Sequence, residues 1–271
     1  MNSTIYVLRL ADKDNELKED FVVAKLFIEV IRVDSSDTIQ NNLKNISLDT
    51  LLLVLWFGTL WGAVEALIGG LLHFFLPPTV PGKVMIVIAT GIMAWSLRKT
   101  GKVWMPLAIS LVAAPLKLFS GVVFSLPLNA PAILNPVFGI LSQGLGFTLA
   151  TLAIYKLPIR RSIKYLAIGA GAGAVYSFVF IGLVAGPGMA LYLPMEAIKE
   201  LGTKFPYWAQ SVSGLMSFAS TSLPYSAIVA GLGGLIAGVF PLNLYPRINP
   251  KLLLSGSVLW LTIFFASSLT I

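Results

Sequence analysis

The chain has 271 residues, 56% of them hydrophobic and 11% charged, with a formal net charge of +7 and a mean hydropathy of +0.85. Soluble domains carry about 25% charged residues, so this composition excludes an ordinary soluble fold and implies an all-α integral membrane protein. The absence of cysteine and the single histidine exclude a thiol nucleophile, an iron–sulfur cluster and the usual Cys/His zinc sites.

Residues 1–47 are predicted to be a short soluble or amphipathic region, distinct from a transmembrane helical domain over 48–271. They hold most of the acidic residues, from Asp12 to Asp37. Ile5 to Leu10 reads as a short strand. Glu19 to Val33 reads as a surface helix with Val22, Val23, Leu26, Phe27, Val30 and Ile31 on one face. No basic segment followed by a short apolar run and a cleavage site opens the chain, so no removable signal peptide is expected.

Leu51 to Phe75 is apolar throughout and long enough to cross a hydrocarbon core of about 30 Å. In it stands Glu65, the only acidic residue in any apolar run, and a carboxylate at that depth costs a few kcal/mol unless it is paired. Gly58, Gly62, Ala66 and Gly70 recur every fourth residue as a ridge suited to close helix contact. Further apolar runs follow: Val84 to Leu97; Val103 to Val123, with Lys117 inside it; Ala132 to Tyr155, carrying Asn135, Ser142 and Gln143; and Tyr165 to Ala185, with the run GAGAGA at Gly169 to Ala174. Gly186 to Phe205 reads as the longest loop, with one amphipathic turn at MEAIKELG. Tyr207 to Phe240 is too long for one straight span and is predicted to break at Pro224, either as a re-entrant piece before a full span or as two short spans. Leu252 to Leu269 closes a bundle of six to seven transmembrane helices.

Loop charge orients this bundle. With the N-terminus cytoplasmic, the inner loops hold Arg98, Lys99, Lys102, Lys156, Arg160, Arg161, Lys164, Arg247 and Lys251, whereas the outer loops hold Lys83, Lys199 and Lys204. This bias accounts for the net positive charge through topology, and no nucleic-acid partner is expected. The predicted location is the cell membrane, multi-pass, with the bilayer as the standing partner.

Glu65 and Lys117 each lie about 22 Å along their helices from the inner ends. An acid and an amine at one depth are read as a pair or as joint ligand contacts; the plainer reading is a pair that only fixes helix register. Trp61, one turn before Glu65, offers an aromatic wall. His73 lies two turns beyond, and Asn135 and Gln143 offer neutral hydrogen bonds. No GxxxxGK[ST], GxSxG or HExxH pattern occurs, so the chain is read as a binding protein rather than an enzyme, without cofactor or metal.

The runs WGAVEALIGGLLH (Trp61 to His73), AAPLKLFSG (Ala113 to Gly121) and NPVFGILSQGL (Asn135 to Leu145) resemble the membrane substrate-binding subunits, or S components, of energy-coupling-factor transporters over about residues 50–240. The resemblance implies a six-helix core with an outward ligand pocket for a small solute. It also implies that Gly58, Gly62, Ala66 and Gly70 dock onto a transmembrane scaffold subunit driven by separate ATPase subunits. Gln143 stands where similar sequences carry a carboxylate, and the N-terminal extension and seventh helix are additions. The competing expectation is a non-catalytic membrane scaffold in which Glu65 and Lys117 are structural.

Overall fold

The structure is a computed structural model. It describes residues 47–271 except 66, 67, 69–71, 73, 74, 77–79, 124, 201–204, 241–250, 252, 253, 260 and 263–271. The predicted N-terminal strand and surface helix, His73, Ala66 and Gly70 lie outside the described residues. Every regular element among the described residues is helical, as the composition requires.

Seven helices carry the architecture: α1 (Leu48–Val64), α2 (Pro81–Thr100), α3 (Met105–Val123), α4 (Pro131–Ile154), α5 (Arg161–Leu183), the short α6 (Met195–Glu200) and α7 (Val212–Val239). Further helical residues occur at 254–259. Their ends follow local chemistry. Ser47 caps α1 by accepting the Thr50 N–H at 3.3 Å, Pro81 and Pro131 open α2 and α4, and Gly101 ends α2 in the left-handed conformation at φ 65°, where a Cβ would be strained. Among the described residues three helices are long and apolar enough to cross a membrane: α4, α5 continued to Leu191, and α7. α1 and the Met105–Phe119 part of α3 are apolar but shorter.

α5 is the middle of the bundle because glycines, its own toward α7 and Gly146 of α4 toward it, let backbone meet backbone on two sides. Gly169 and Gly173 face α7, where a Cβ at 173 would lie 2.8 Å from the Ala227 Cα. Gly171 faces α4, with Ala150 at 3.3 Å from where its Cβ would stand. On α7, Gly234 returns the contact by lying against the Tyr165 carbonyl, while Gly233 lies against the Val87 carbonyl of α2. The pairing of 165, 169 and 173 with 234, 230 and 226 runs the two helices antiparallel along matched four-residue ridges. α2 runs parallel to α7, with the Lys83 ammonium 3.9 Å above the Tyr225 ring near one end and Arg98 donating to the Ala237 carbonyl at 3.0 Å near the other.

The structure corrects two predicted boundaries. α7 runs unbroken through Pro224. A proline removes one backbone donor, here leaving the Ser220 carbonyl without its ladder partner, and one lost bond does not force a stop in a long helix. The predicted division survives only in packing, since every buried α7 residue follows Pro224. The loop placed at Gly186 begins later. The chain passes Gly186-Pro187-Gly188 in a π-helical turn, Val184–Gly188, and stays helical to Leu191. The wider turn accommodates the proline, whose missing N–H would break an ordinary ladder. The amphipathic turn predicted at MEAIKELG is α6.

Beyond this turn a second apolar cluster forms from Phe138, Val184, Tyr192, Ile198 and Ala209. A ring series joins it to the bundle: Tyr176 stacks on Phe180 at 5.7 Å, Phe180 meets Trp208 at 6.3 Å, and Trp208 stacks on Phe218 at 4.0 Å.

Gly173→Leu should force α5 and α7 apart and cost about 1–3 kcal/mol or more. Gly182→Leu, at a position with no heavy atom within 4 Å of a built Cβ, should leave stability unchanged or raised. Unfolding of both variants in detergent micelles checks the contrast; equal losses would refute the backbone-contact account.

Candidate functional site

α1 and α3 lie side by side because Gly58 and Gly62 admit the side chains of Val112 and Leu116. A Cβ at 58 would stand 2.5 Å from the Val112 Cβ, and one at 62 would stand 2.5 Å from the Leu116 Cδ1. The described part of the predicted docking ridge is therefore occupied within the chain, and Gly58 and Gly62 have no free face for a partner. The same contact runs α1 and α3 parallel and in register, Gly62 beside Leu116, so Glu65 and Lys117 come out at one level. Both are partly buried, and each is the charge that acts on the other. An acid and an amine in such a setting hold each other ionised only as a pair.

Tyr176 of α5 lies against α4, its backbone beside Gly146 and its hydroxyl near Gly139. The sequence reading passed over this tyrosine, because one phenol in an apolar span carries no signal of its own. What could have marked it is its place after GAGAGA, on the helix whose glycines pull neighbours closest.

Gln143 faces Tyr176 across a narrow cavity. The cavity is lined by Ile86, Thr90 and Met93 of α2, Gln143 of α4, Ala172, Gly173 and Tyr176 of α5, and Ala230 of α7. About 10 Å³ of it admits the centre of a water, room for about one water molecule. Gly139 and Gly146 flank Gln143 on the same face of α4. A Cβ at 146 would come 2.9 Å from the Tyr176 backbone nitrogen, and one at 139 would lie 4.0 Å from the Tyr176 hydroxyl. The amide Oε1 of Gln143 is buried and has no hydrogen-bond partner in the protein, an arrangement that costs about 1–3 kcal/mol when left unanswered.

The other predicted site residues lie elsewhere. Trp61 is wholly buried in the main apolar core and is not among the residues that line the cavity; its indole N–H is without a partner. Asn135 Oδ1 accepts from the Tyr192 hydroxyl, tying the start of α4 to the segment after the π turn. Burial pushes that hydroxyl up to about 12, so it remains a donor throughout the physiological range. The structure thus sets Glu65 and Lys117 at one level on adjacent helices, places Gln143 and Tyr176 on a cavity whose lining includes neither charge, and sends Trp61 to the apolar core and Asn135 to Tyr192 of the second cluster. Among the described residues no group of acidic or histidine side chains is placed to hold a metal ion.

Comparison with family models, with curated proteins and with solved structures finds no match.

If Glu65 and Lys117 form one electrostatic unit, Lys117→Met alone should destabilise by about 3–5 kcal/mol through the uncompensated carboxylate, and Glu65→Gln added to it should restore much of the loss. A double-mutant cycle on unfolding in micelles measures this. Strictly additive losses would separate the two residues.

Proposed function

We propose that this chain is a membrane-embedded subunit that binds a small polar or zwitterionic solute and passes it to an ATP-driven uptake partner. The observation that carries the reading is an acid and an amine, Glu65 and Lys117, at one level on adjacent helices of an otherwise apolar bundle that also buries an unanswered amide oxygen on Gln143. Opposite charges at one depth match the two ends of a zwitterion, and the neutral oxygens supply the orientation that charge alone does not. The chain has no nucleotide-binding loop of its own, so in this reading a transmembrane scaffold and ATPase subunits supply the energy.

The topology that goes with this reading has seven crossings in the cell membrane with the N-terminus inside. Its support is the gathering of basic residues at one end. Arg98 bonds the end of α7, Lys164 donates to the Tyr155 carbonyl at 2.8 Å, and both Arg98 and Arg161 act on Tyr165. Lys83 lies on Tyr225 toward the other end. A continuous α7 keeps the last loop, with Arg247 and Lys251, on the basic side.

One observation favours the competing reading of a structural scaffold: the cavity in its present form admits about one water, and the small residues of α1 serve packing within the chain. The two readings part experimentally. In native mass spectrometry of the purified chain, a bound small molecule lost on Glu65→Gln supports the solute reading; no bound molecule, or one unchanged by that substitution while thermal stability falls, supports the scaffold. Single cysteines at Lys83, Lys199 and the C-terminus test the topology, with labelling from outside expected at all three, because seven crossings from an inner N-terminus end outside.

A further inference from the structure

We infer that the cavity among α2, α4, α5 and α7 is a site for one ordered water, which answers the Gln143 amide and joins it to the hydroxyls of Thr90 and Tyr176. The inference does not depend on the solute reading, since neither Glu65 nor Lys117 lines this space. A buried space holds water when it has room, polar partners and walls that cannot close in. The room is about 10 Å³ for the centre of a water, which fits one molecule and not two. Three of the eight lining residues carry polar side chains, each from a different helix: Thr90 of α2, Gln143 of α4 and Tyr176 of α5. Gln143 Oε1 is buried and has no partner in the protein, so a water's O–H meets an acceptor that is otherwise unanswered.

The two hydroxyls complete the water's bonding, because a hydroxyl both donates and accepts. A Cβ at Gly139, one turn before Gln143, would lie 4.0 Å from the Tyr176 hydroxyl, which sets the phenol oxygen against the face of α4 that carries the amide. The walls are held by main chain. A Cβ at Gly146 would stand 2.9 Å from the Tyr176 backbone nitrogen, one at Gly173 2.8 Å from the Ala227 Cα, and one at Gly233 3.0 Å from the Thr90 Cβ. Helices already at that distance cannot move in to fill the space. The remaining lining is apolar, so the water's partners are these three side chains. The same lining decides against a cation of similar size. It contains no carboxylate, and an ion stripped of its hydration would meet only neutral oxygens there. A water gives up far less on entering and bridges polar groups nearly as well as a direct bond would.

Solid-state NMR of the full-length chain in lipid bilayers, with isotope-labelled glutamine, reads the site directly. The chain's glutamines are Gln40, Gln143 and Gln210, and the signal lost in Gln143→Met identifies the one in the cavity. In the wild-type chain, magnetisation should pass from water protons to the Gln143 side-chain amide; no transfer means a dry cavity and overturns the inference. Ala230→Val keeps all three polar side chains and takes the room, so the transfer should fall at least threefold. Transfer at wild-type strength in that variant would trace the signal to the hydroxyls themselves and overturn the inference as well. Exchange of sodium chloride for choline chloride should leave the Gln143 signals unmoved; a shift that reverses when sodium returns would put a cation in the site instead of water.

Discussion

The close approach of α5 to α4 and α7 is the constraint on which the rest of the bundle depends. In lipid there is no hydrophobic gain from bringing apolar helices together, so their association rests on dispersion and on how near the backbones come. Gly169 and Gly173 on one side and Gly171 on the other remove the side chains that would hold neighbours off. Gly233 then ties α7 to α2 in the same way. Four helices are thereby locked at main-chain distance, and what they enclose is fixed by backbone geometry rather than by side-chain choice.

The cavity follows from this lock. Tyr176 is one turn beyond Gly173, and Gln143 lies between Gly139 and Gly146, so the helix faces that pack closest are also those that carry the two polar groups. Close packing on either side leaves Gln143 Oε1 buried and without a partner in the protein. A buried polar group in that state is a standing cost, and sites that retain such a cost are commonly those where a ligand answers it.

The second pairing, α1 with α3, is looser in kind because it sets glycine against valine and leucine rather than against main chain. It supplies the charges. The bundle thus has a rigid four-helix part that holds the neutral groups and a two-helix part that carries Glu65 and Lys117. The helices α5 and α7 exceed a hydrocarbon core of about 30 Å: α5 continued to Leu191 is 31 residues and α7 is 28, about 46 and 42 Å. The C-terminal end of α5 and the N-terminal end of α7 build the aromatic cluster around Tyr192 and Trp208, anchored to α4 through Asn135.

Composition and hydropathy were enough to determine a helical bundle with membrane-crossing segments, because an apolar run of sufficient length has no other way to satisfy its backbone in lipid. Depth was legible as well: a helix rises a constant distance per residue, so counting from the basic ends put Glu65 and Lys117 at one level. What counting along one chain cannot supply is rotation about each helix and the choice of neighbour. Those decided that Gly58 and Gly62 serve α3 rather than a partner, that Trp61 turns into the core, that Asn135 belongs to Tyr192, and that Tyr176 faces Gln143. The continuity of α7 through Pro224 was likewise not legible in the sequence, since a proline withdraws only one hydrogen bond and the rest of the ladder, with the packing of the residues after it, carries the helix on.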